Sequence, residues 1–458
     1  MIAAATRTKL YLLFPDWIIG AFCLAIPALY NSYPFVTSDT GSYIGNAYLL
    51  QVPLDRPVAY SAFLRITSMG ITLWGVVAVQ ALIVSMLLLV IARRFLGPAY
   101  HRSTFAAIML LVGAATSAGW FASQVMPDIF TAILLLSCIV ISSRPVSRIA
   151  GWGLYALMLA SILMHNSNLL VALLTGTILL IYCLRKKGNL LLRHTAIALL
   201  ATSVTGWLSL SAMNAIAGRA FKPSGASHVF LMSRMVENGI MDDFLDDYCP
   251  TDSSAYRLCA YRNKLPRRQW DFMWDWNGPL YATGGWQANE EEYNRIILKT
   301  LTTPKYLFLH TIKATHATLR QLPLIYVGDG LMSFKDDSSP QREIYNHLKG
   351  EQKEFNSSEQ QTENLKLGAW NLLIIFFALL SCATALLLGS RKQGTGKSDP
   401  MGRVVWLSLL FLLINAAVTA TLATVIGRYE SRVFWILPFL SILYIVRSFH
   451  REDEPALK

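Results

Sequence analysis

The chain has 458 residues, of which 54% are hydrophobic and 15% charged, and its mean hydropathy is +0.41. A water-soluble monomer of this size could not hide so much apolar surface, which excludes an ordinary soluble enzyme and points to an all-α polytopic membrane protein. The formal net charge of +12 would suggest nucleic acid in a soluble domain, but the Lys and Arg residues collect in short loops between apolar runs, where they set membrane orientation, so no nucleic-acid role is assigned.

In chain order, Arg7 and Lys9 precede a first apolar segment at residues 10–30, which lacks a small-residue cleavage site and reads as an uncleaved signal anchor. Apolar segments follow at 70–92, 104–120, 128–142, 149–164, 168–184 and 195–216, and again at 367–390, 404–426 and 432–446. The expectation is about ten transmembrane helices, although several runs are shorter than the roughly 20 residues of a straight span. The chain divides accordingly into an N-terminal transmembrane module of seven spans (1–216), with its first outer loop at 31–69, an extracytoplasmic mixed insertion (217–366) and a C-terminal module of three spans (367–458).

Loop charge orients this map. With the N-terminus inside, every cytoplasmic turn is basic: Arg93, Arg94 and Arg102; Arg144 and Arg148; Arg185, Lys186, Lys187 and Arg193; Arg391, Lys392, Lys397 and Arg403; and Arg447, Arg451 and Lys458. The short outer loops near Gln124 and Asn166 carry no Lys or Arg, as the positive-inside rule requires. Both termini are therefore expected in the cytoplasm of a multi-pass protein of a bacterial inner (plasma) membrane, with the insertion outside.

The first outer loop, between two apolar segments, carries Asp39 in Ser-Asp-Thr-Gly and Asp55-Arg56-Pro57. An ionisable residue beside a span is a candidate for function, while the same Ser-Asp-Thr-Gly is ordinary turn chemistry and Asp55–Arg56 a local ion pair. Asp128 follows Pro127 at the outer start of a span, where capping and chemistry explain it equally. His165, in Met-His-Asn-Ser-Asn, reads first as a hydrogen-bonded interface residue. Arg428, in Gly-Arg-Tyr-Glu-Ser-Arg, breaks the inside-positive trend. It snorkels, or it holds a lipid-linked phosphate through two parallel hydrogen bonds.

Within the insertion, Asp242, Asp243, Asp246 and Asp247 read as a solvated helical face whose spacing matches no calcium loop. Of the six cysteines, four sit in apolar runs, while Cys249 and Cys259 close a short loop in an oxidising compartment and are expected to form a disulfide. The cluster of Trp270, Phe272, Trp274, Trp276, Tyr281 and Trp286 is either an aromatic belt or a platform on which sugar rings stack. Residues 305–326 have helical apolar spacing but carry His310, Lys313, His316 and Arg320, so a helix on the outer surface is expected rather than a span. Residues 335–366, rich in Gln, Asn, Glu, Lys and Ser, read as a solvated connector.

The order of these features resembles the GT-C superfamily of integral-membrane glycosyltransferases, which use polyprenyl-phosphate-linked sugars. The resemblance rests on Asp39 after the first span, the Arg56-Pro57-x-x-Tyr60 element, Pro127-Asp128 at the fourth span, and Arg428-Tyr429 before a last span containing Pro438. It covers mainly residues 10–184 and 403–446 and leaves the insertion without a counterpart. It implies an inverting hexosyl- or pentosyltransferase of cell-envelope polysaccharide biosynthesis, with a polyprenyl-phosphate-linked sugar as donor and a glycan or lipid as acceptor. Asp39 is then the general base and Arg428, with Arg56 second, the phosphate-binding cation. Asp55, Tyr60, Asp128, His165, Tyr429, Trp274 and Trp276 become substrate-binding residues. Some members carry an acidic pair in the first loop where this chain has Asp39, so a divalent cation (Mg or Mn), held by Asp39 and Asp128, stays an open expectation. The rival readings are a polytopic transporter or flippase, disfavoured by spans free of mid-segment charge, and a non-catalytic assembly subunit.

Overall fold

The computed structural model describes residues 14–186, 189–335, 337–390 and 400–452. The basic residues expected at Arg7, Lys9, Lys187, Arg391, Lys392, Lys397 and Lys458, and the start of the first apolar segment, lie outside them. Among the described residues the chain is helical throughout, without strands. The one departure is an isolated bridge between Phe35 and Gln124.

Every expected apolar segment falls on helix, but six helices among the described residues are long and apolar enough to cross a membrane. They are Trp74–Ala99, Asn166–Arg185, Leu190–Ile216, Leu367–Thr384, Pro400–Leu422 and Gly427–Phe449, and they mark the chain as membrane-embedded. Arg102–Ala115, Ile129–Ser143 and Arg148–Met164 are apolar but shorter. At a rise of about 1.5 Å per residue, Ile129–Ser143 extends roughly 22 Å, less than the roughly 30 Å hydrocarbon core. Its all-round apolarity has another cause: nearly every side chain from Ile129 to Ser143 is buried by neighbouring helices.

The insertion is all-helical rather than mixed, and its two halves pack differently. Residues 229–306 have their own core, with Met232, Phe244, Phe272, Tyr293 and Ile296 buried together, and the Cys249–Cys259 disulfide closes its edge. The acidic run there is partly paired, Asp246 with Arg262 at 2.6 Å and Asp247 with Lys305. Residues 305–326 form the helix Pro304–Gln321, as the spacing predicts, with Leu307, Phe308, Ile312 and Leu319 exposed.

The second half, 327–366, corrects the connector reading. Val327, Leu331, Phe334, Ile344, Leu348 and Phe355 belong to the same core as the long apolar helices. Glu351 is buried and accepts from Tyr33 Oη (2.9 Å), Thr72 Oγ1 (2.6 Å) and the Leu73 amide (3.1 Å). Gln360 donates to the Val36 carbonyl (2.7 Å) and accepts from its amide (3.1 Å), so its side chain replaces the strand partner that Val36 lacks. Part of the polarity here is therefore internal: Glu351 and Gln360 are buried among partners, while Arg342, Lys349, Lys353 and Asn364 are exposed.

Candidate functional site

The first outer loop is pinned at both ends. Phe35 pairs with the 123–125 backbone, its amide donating to Ser123 O at 3.0 Å and its carbonyl accepting from Val125 N at 2.9 Å. Three residues later the helix Ser38–Leu49 begins, with Thr40 Oγ1 accepting the Thr37 amide (2.9 Å) and donating to Val125 O (3.1 Å). This start places Asp39 in the first helical turn beside the corner that carries Asp128. From the other side, Ser339–His347 presses on the same helix so closely that a Cβ on Gly41 would lie 2.4 Å from the Ser339 carbonyl carbon. Only glycine admits that approach.

The opposite wall is the helix Gly427–Phe434. Its entry is held by Gln321, which exchanges two hydrogen bonds with Ile426 (2.7 and 3.1 Å), and by Asp329, which accepts the Arg428 amide at 2.9 Å. Gly427 packs under Tyr326, where a Cβ would meet the ring at 2.7 Å. Arg428 and Arg432 lie one turn apart and so share a helix face, and both guanidiniums stack against Tyr429 (5.5 and 5.2 Å).

These two walls bring together most of the residues singled out in the sequence. Asp39 Oδ1 lies 3.2 Å from Arg56 Nη1, and Oδ2 lies 3.6 Å from Arg428 Nη1. Arg56 also holds Asp55 at 2.6 Å. Burial lowers the proton affinity of Arg56, but Asp39 and Asp55 outweigh it, and its pKa stands above the ordinary arginine value. Beneath them, Asp128 caps nothing: its side chain makes no helix-capping bond, and Oδ1 faces Arg432 Nη1 at 3.2 Å and Arg428 Nε at 4.0 Å.

Arg432 is the residue that sequence reasoning missed. Fully buried, it donates to Asp128 (3.2 Å), His165 Nε2 (2.9 Å), Ser167 Oγ (3.1 Å) and Asn415 Oδ1 (3.0 Å). A guanidinium only donates, so His165 Nε2 accepts from Arg432, while Nδ1 faces Ser167, 2.9 Å from its hydroxyl and 3.3 Å from its amide nitrogen. The spacing Arg-x-x-x-Arg was the available signal, but Arg432 read as the start of a span. With buried Glu430, it lies near the start of the helix Gly427–Phe449 and not in the middle of a span.

Asp39, Asp55, Arg56, His165, Arg428, Tyr429 and Trp274 line one cavity of about 770 Å³, whose remaining wall is mostly apolar: Leu169, Leu170, Leu173, Val204, Trp207 and Phe230. Three expected residues are outside this wall: Asp128 is buried, with Arg428 Nε 4.0 Å from its Oδ1. Tyr60 is buried, its hydroxyl donating to Gln80 Oε1 at 2.9 Å, and Trp276 is 77% exposed against Tyr281. Asp39 and Asp128, the pair expected to hold a divalent cation, are engaged by guanidiniums: Asp39 by Arg56 and Arg428, Asp128 by Arg432.

The chemistry available here is an acid–base carboxylate beside guanidiniums that can bind oxyanions. Buried Arg428 Nε and Arg432 Nε, and Asp128 Oδ2, have no hydrogen-bond partner, so the cluster retains two unused donors and one unused acceptor. No family model matches the chain, and comparison with curated proteins and with solved structures finds no match.

Proposed function

We propose that the chain is an inverting membrane glycosyltransferase that moves a sugar from a polyprenyl-phosphate carrier to a glycan or lipid acceptor on the outer side of the membrane. The observation that carries the proposal is Asp39 at the wall of a largely apolar cavity, with Arg56 and Arg428 at 3.2 and 3.6 Å. The apolar wall suits a lipid chain and the guanidiniums suit its phosphate.

On this reading the donor phosphate takes over Arg428 and Arg56, which form ion pairs with Asp39 in the free protein, and the carboxylate turns to the acceptor hydroxyl. The acceptor oxygen bonds to the anomeric carbon as Asp39 takes its proton. The bond from that carbon to the phosphate oxygen breaks with its electron pair, and Arg428 stabilises the charge that grows there. Asp128 and Arg432 fix Arg428 from below. The ten-span topology, with both termini cytoplasmic in a plasma membrane, belongs to the same reading.

The test is transfer by the full chain in lipid nanodiscs, supplied with polyprenyl-phosphate sugars, together with mass spectrometry of the lipid that copurifies. Label transfer and a copurified polyprenyl phosphate are expected, and absence of both would remove the proposal. Externally added thiol reagent should reach a cysteine introduced at Asn166 and not one at Lys392. A transporter or flippase is the second reading, favoured by the buried Asp128–Arg432–His165 network, since ionisable groups inside a bundle mark substrate pathways. Movement of a substrate into proteoliposomes without sugar transfer would establish it.

A further inference from the structure

The cavity has a second end that the phosphate chemistry does not use. Its wall there comes from the insertion: Ser224 and Ser227 from one segment, and Gln269, Trp270 and Trp274 from the helix Gln269–Trp274. Trp270 and Trp274 are four residues apart and so share a helix face, and they are 52% and 40% exposed although they border a concavity. Indole rings that served only as a belt would face outward. Trp274 is also backed by Trp286 at 5.4 Å, which fixes the ring plane.

Immediately before Trp270, Gln269 is 5% exposed, and its Oε1 is buried without a hydrogen-bond partner. Its Nε2 has only the weak contact to Met273 Sδ at 3.5 Å. A carboxamide left unsatisfied while lining a cavity is a standing acceptor for a ligand donor. Ring faces supply shape, and the carboxamide oxygen and two serine hydroxyls supply direction. That combination matches a pyranose, which presents an apolar face of C–H groups and an edge of hydroxyls.

We propose that this end of the cavity is a carbohydrate subsite, binding the sugar ring of the acceptor across Trp270 and Trp274 with a hydroxyl donating to Gln269 Oε1. The assignment of that sugar as acceptor rests on the glycosyltransferase reading, because the donor phosphate belongs at the Asp39 and Arg428 end of the same cavity. The binding of a sugar ring does not rest on it. Trp276, on the far side of the same turn and outside the cavity wall, takes no part.

Two measurements on the full chain in nanodiscs test this. In saturation-transfer-difference NMR with methyl glucopyranoside, galactopyranoside and mannopyranoside, at least one glycoside should receive saturation at its ring C–H protons. The signal should vanish in Trp274→Ala, persist in part in Trp274→Phe, which keeps a ring face, and persist fully in Trp276→Ala. In transfer kinetics, Gln269→Leu, which retains volume, should raise the acceptor KM about tenfold and leave the donor KM unchanged. Silence from all three glycosides, or equal signal in wild type and Trp274→Ala, would overturn the subsite. A rise in donor rather than acceptor KM would overturn its assignment to the acceptor. Glycoside binding in a chain that transfers nothing would leave the subsite standing and remove the glycosyltransferase reading.

Discussion

Two buried aspartates in this chain are each held by two arginines, and the difference between them separates structure from function. Asp16 has both oxygens engaged: Oδ1 accepts from Arg102 at 2.7 Å, and Oδ2 from Arg93 at 3.1 Å and Tyr100 at 2.8 Å. It lies outside the wall of the site cavity. Asp128 has one oxygen facing Arg428 and Arg432 and the other without a hydrogen-bond partner, and its partner Arg428 borders the cavity together with Asp39. The same residue types tie helices together where every oxygen is satisfied. Where donors and acceptors remain unused beside a void, they are available to a ligand.

The largest effect that tests this contrast comes from neutralising each carboxylate. Asp16→Asn should leave Arg93 and Arg102, both partly solvent-exposed, without a counter-charge and lower stability by about 1 to 3 kcal/mol, while turnover per folded molecule stays unchanged. Asp39→Asn should do the reverse: thermal unfolding in detergent is unaffected, and sugar transfer falls by roughly 10²-fold or more because the amide cannot take a proton. Near-normal transfer in Asp39→Asn would erase the distinction between the two regions.

Next in size is a purely structural link. Replacing Cys249 and Cys259 by serine should lower the stability of the insertion by about 2 to 4 kcal/mol and leave donor affinity at the far end of the cavity intact. Intact-mass analysis without reductant should find the wild-type protein two hydrogens lighter than its dithiol form. Two free thiols would contradict the bridge.

Arg428 divides anchoring from ligand binding. Arg428→Ala should weaken donor binding by about 1.5 to 3 kcal/mol, the range of a hydrogen bond to a charged group. Arg428→Lys should restore only part, since an ammonium lacks the guanidinium fork. Unaltered donor affinity in isothermal titration of Arg428→Ala would make this arginine a second Arg93.

The smallest expected effect concerns Glu351, a buried carboxylate satisfied by neutral donors alone. Burial raises its pKa above the ordinary value of 4.5, against the lowering by its hydrogen bonds from Thr72, Leu73 and Tyr33. The folded state therefore holds this proton more tightly than the unfolded state. Its contribution to stability is fully present below the ordinary value and is lost as pH rises through the folded one. Glu351→Gln should flatten the stability profile in that window just above pH 4.5, with transfer unchanged. An unaltered slope would show that Glu351 does not titrate there.

The sequence alone determined the helical, membrane-embedded character of the chain, because apolar composition over long runs needs no tertiary context to be read. It also marked Asp39, Arg56, Asp128, His165 and Arg428 as unusual, since ionisable residues beside apolar runs stand out locally. Tertiary structure decided what each one does. Residues 335–366 looked wholly solvated because Gln360 and Glu351 are polar, yet both are buried and satisfy backbone groups far off in the chain, Val36 and Leu73, and such pairing has no periodicity to detect. Arg432 looked like the edge of a span, and only packing against Asp128, His165, Ser167 and Asn415 reveals a buried charge with four partners. Ile129–Ser143 reads as apolar throughout, and only the structure shows that other helices, rather than lipid, surround nearly all of its side chains. Hydrophobic pattern reports what a side chain avoids, and only the fold supplies what it meets.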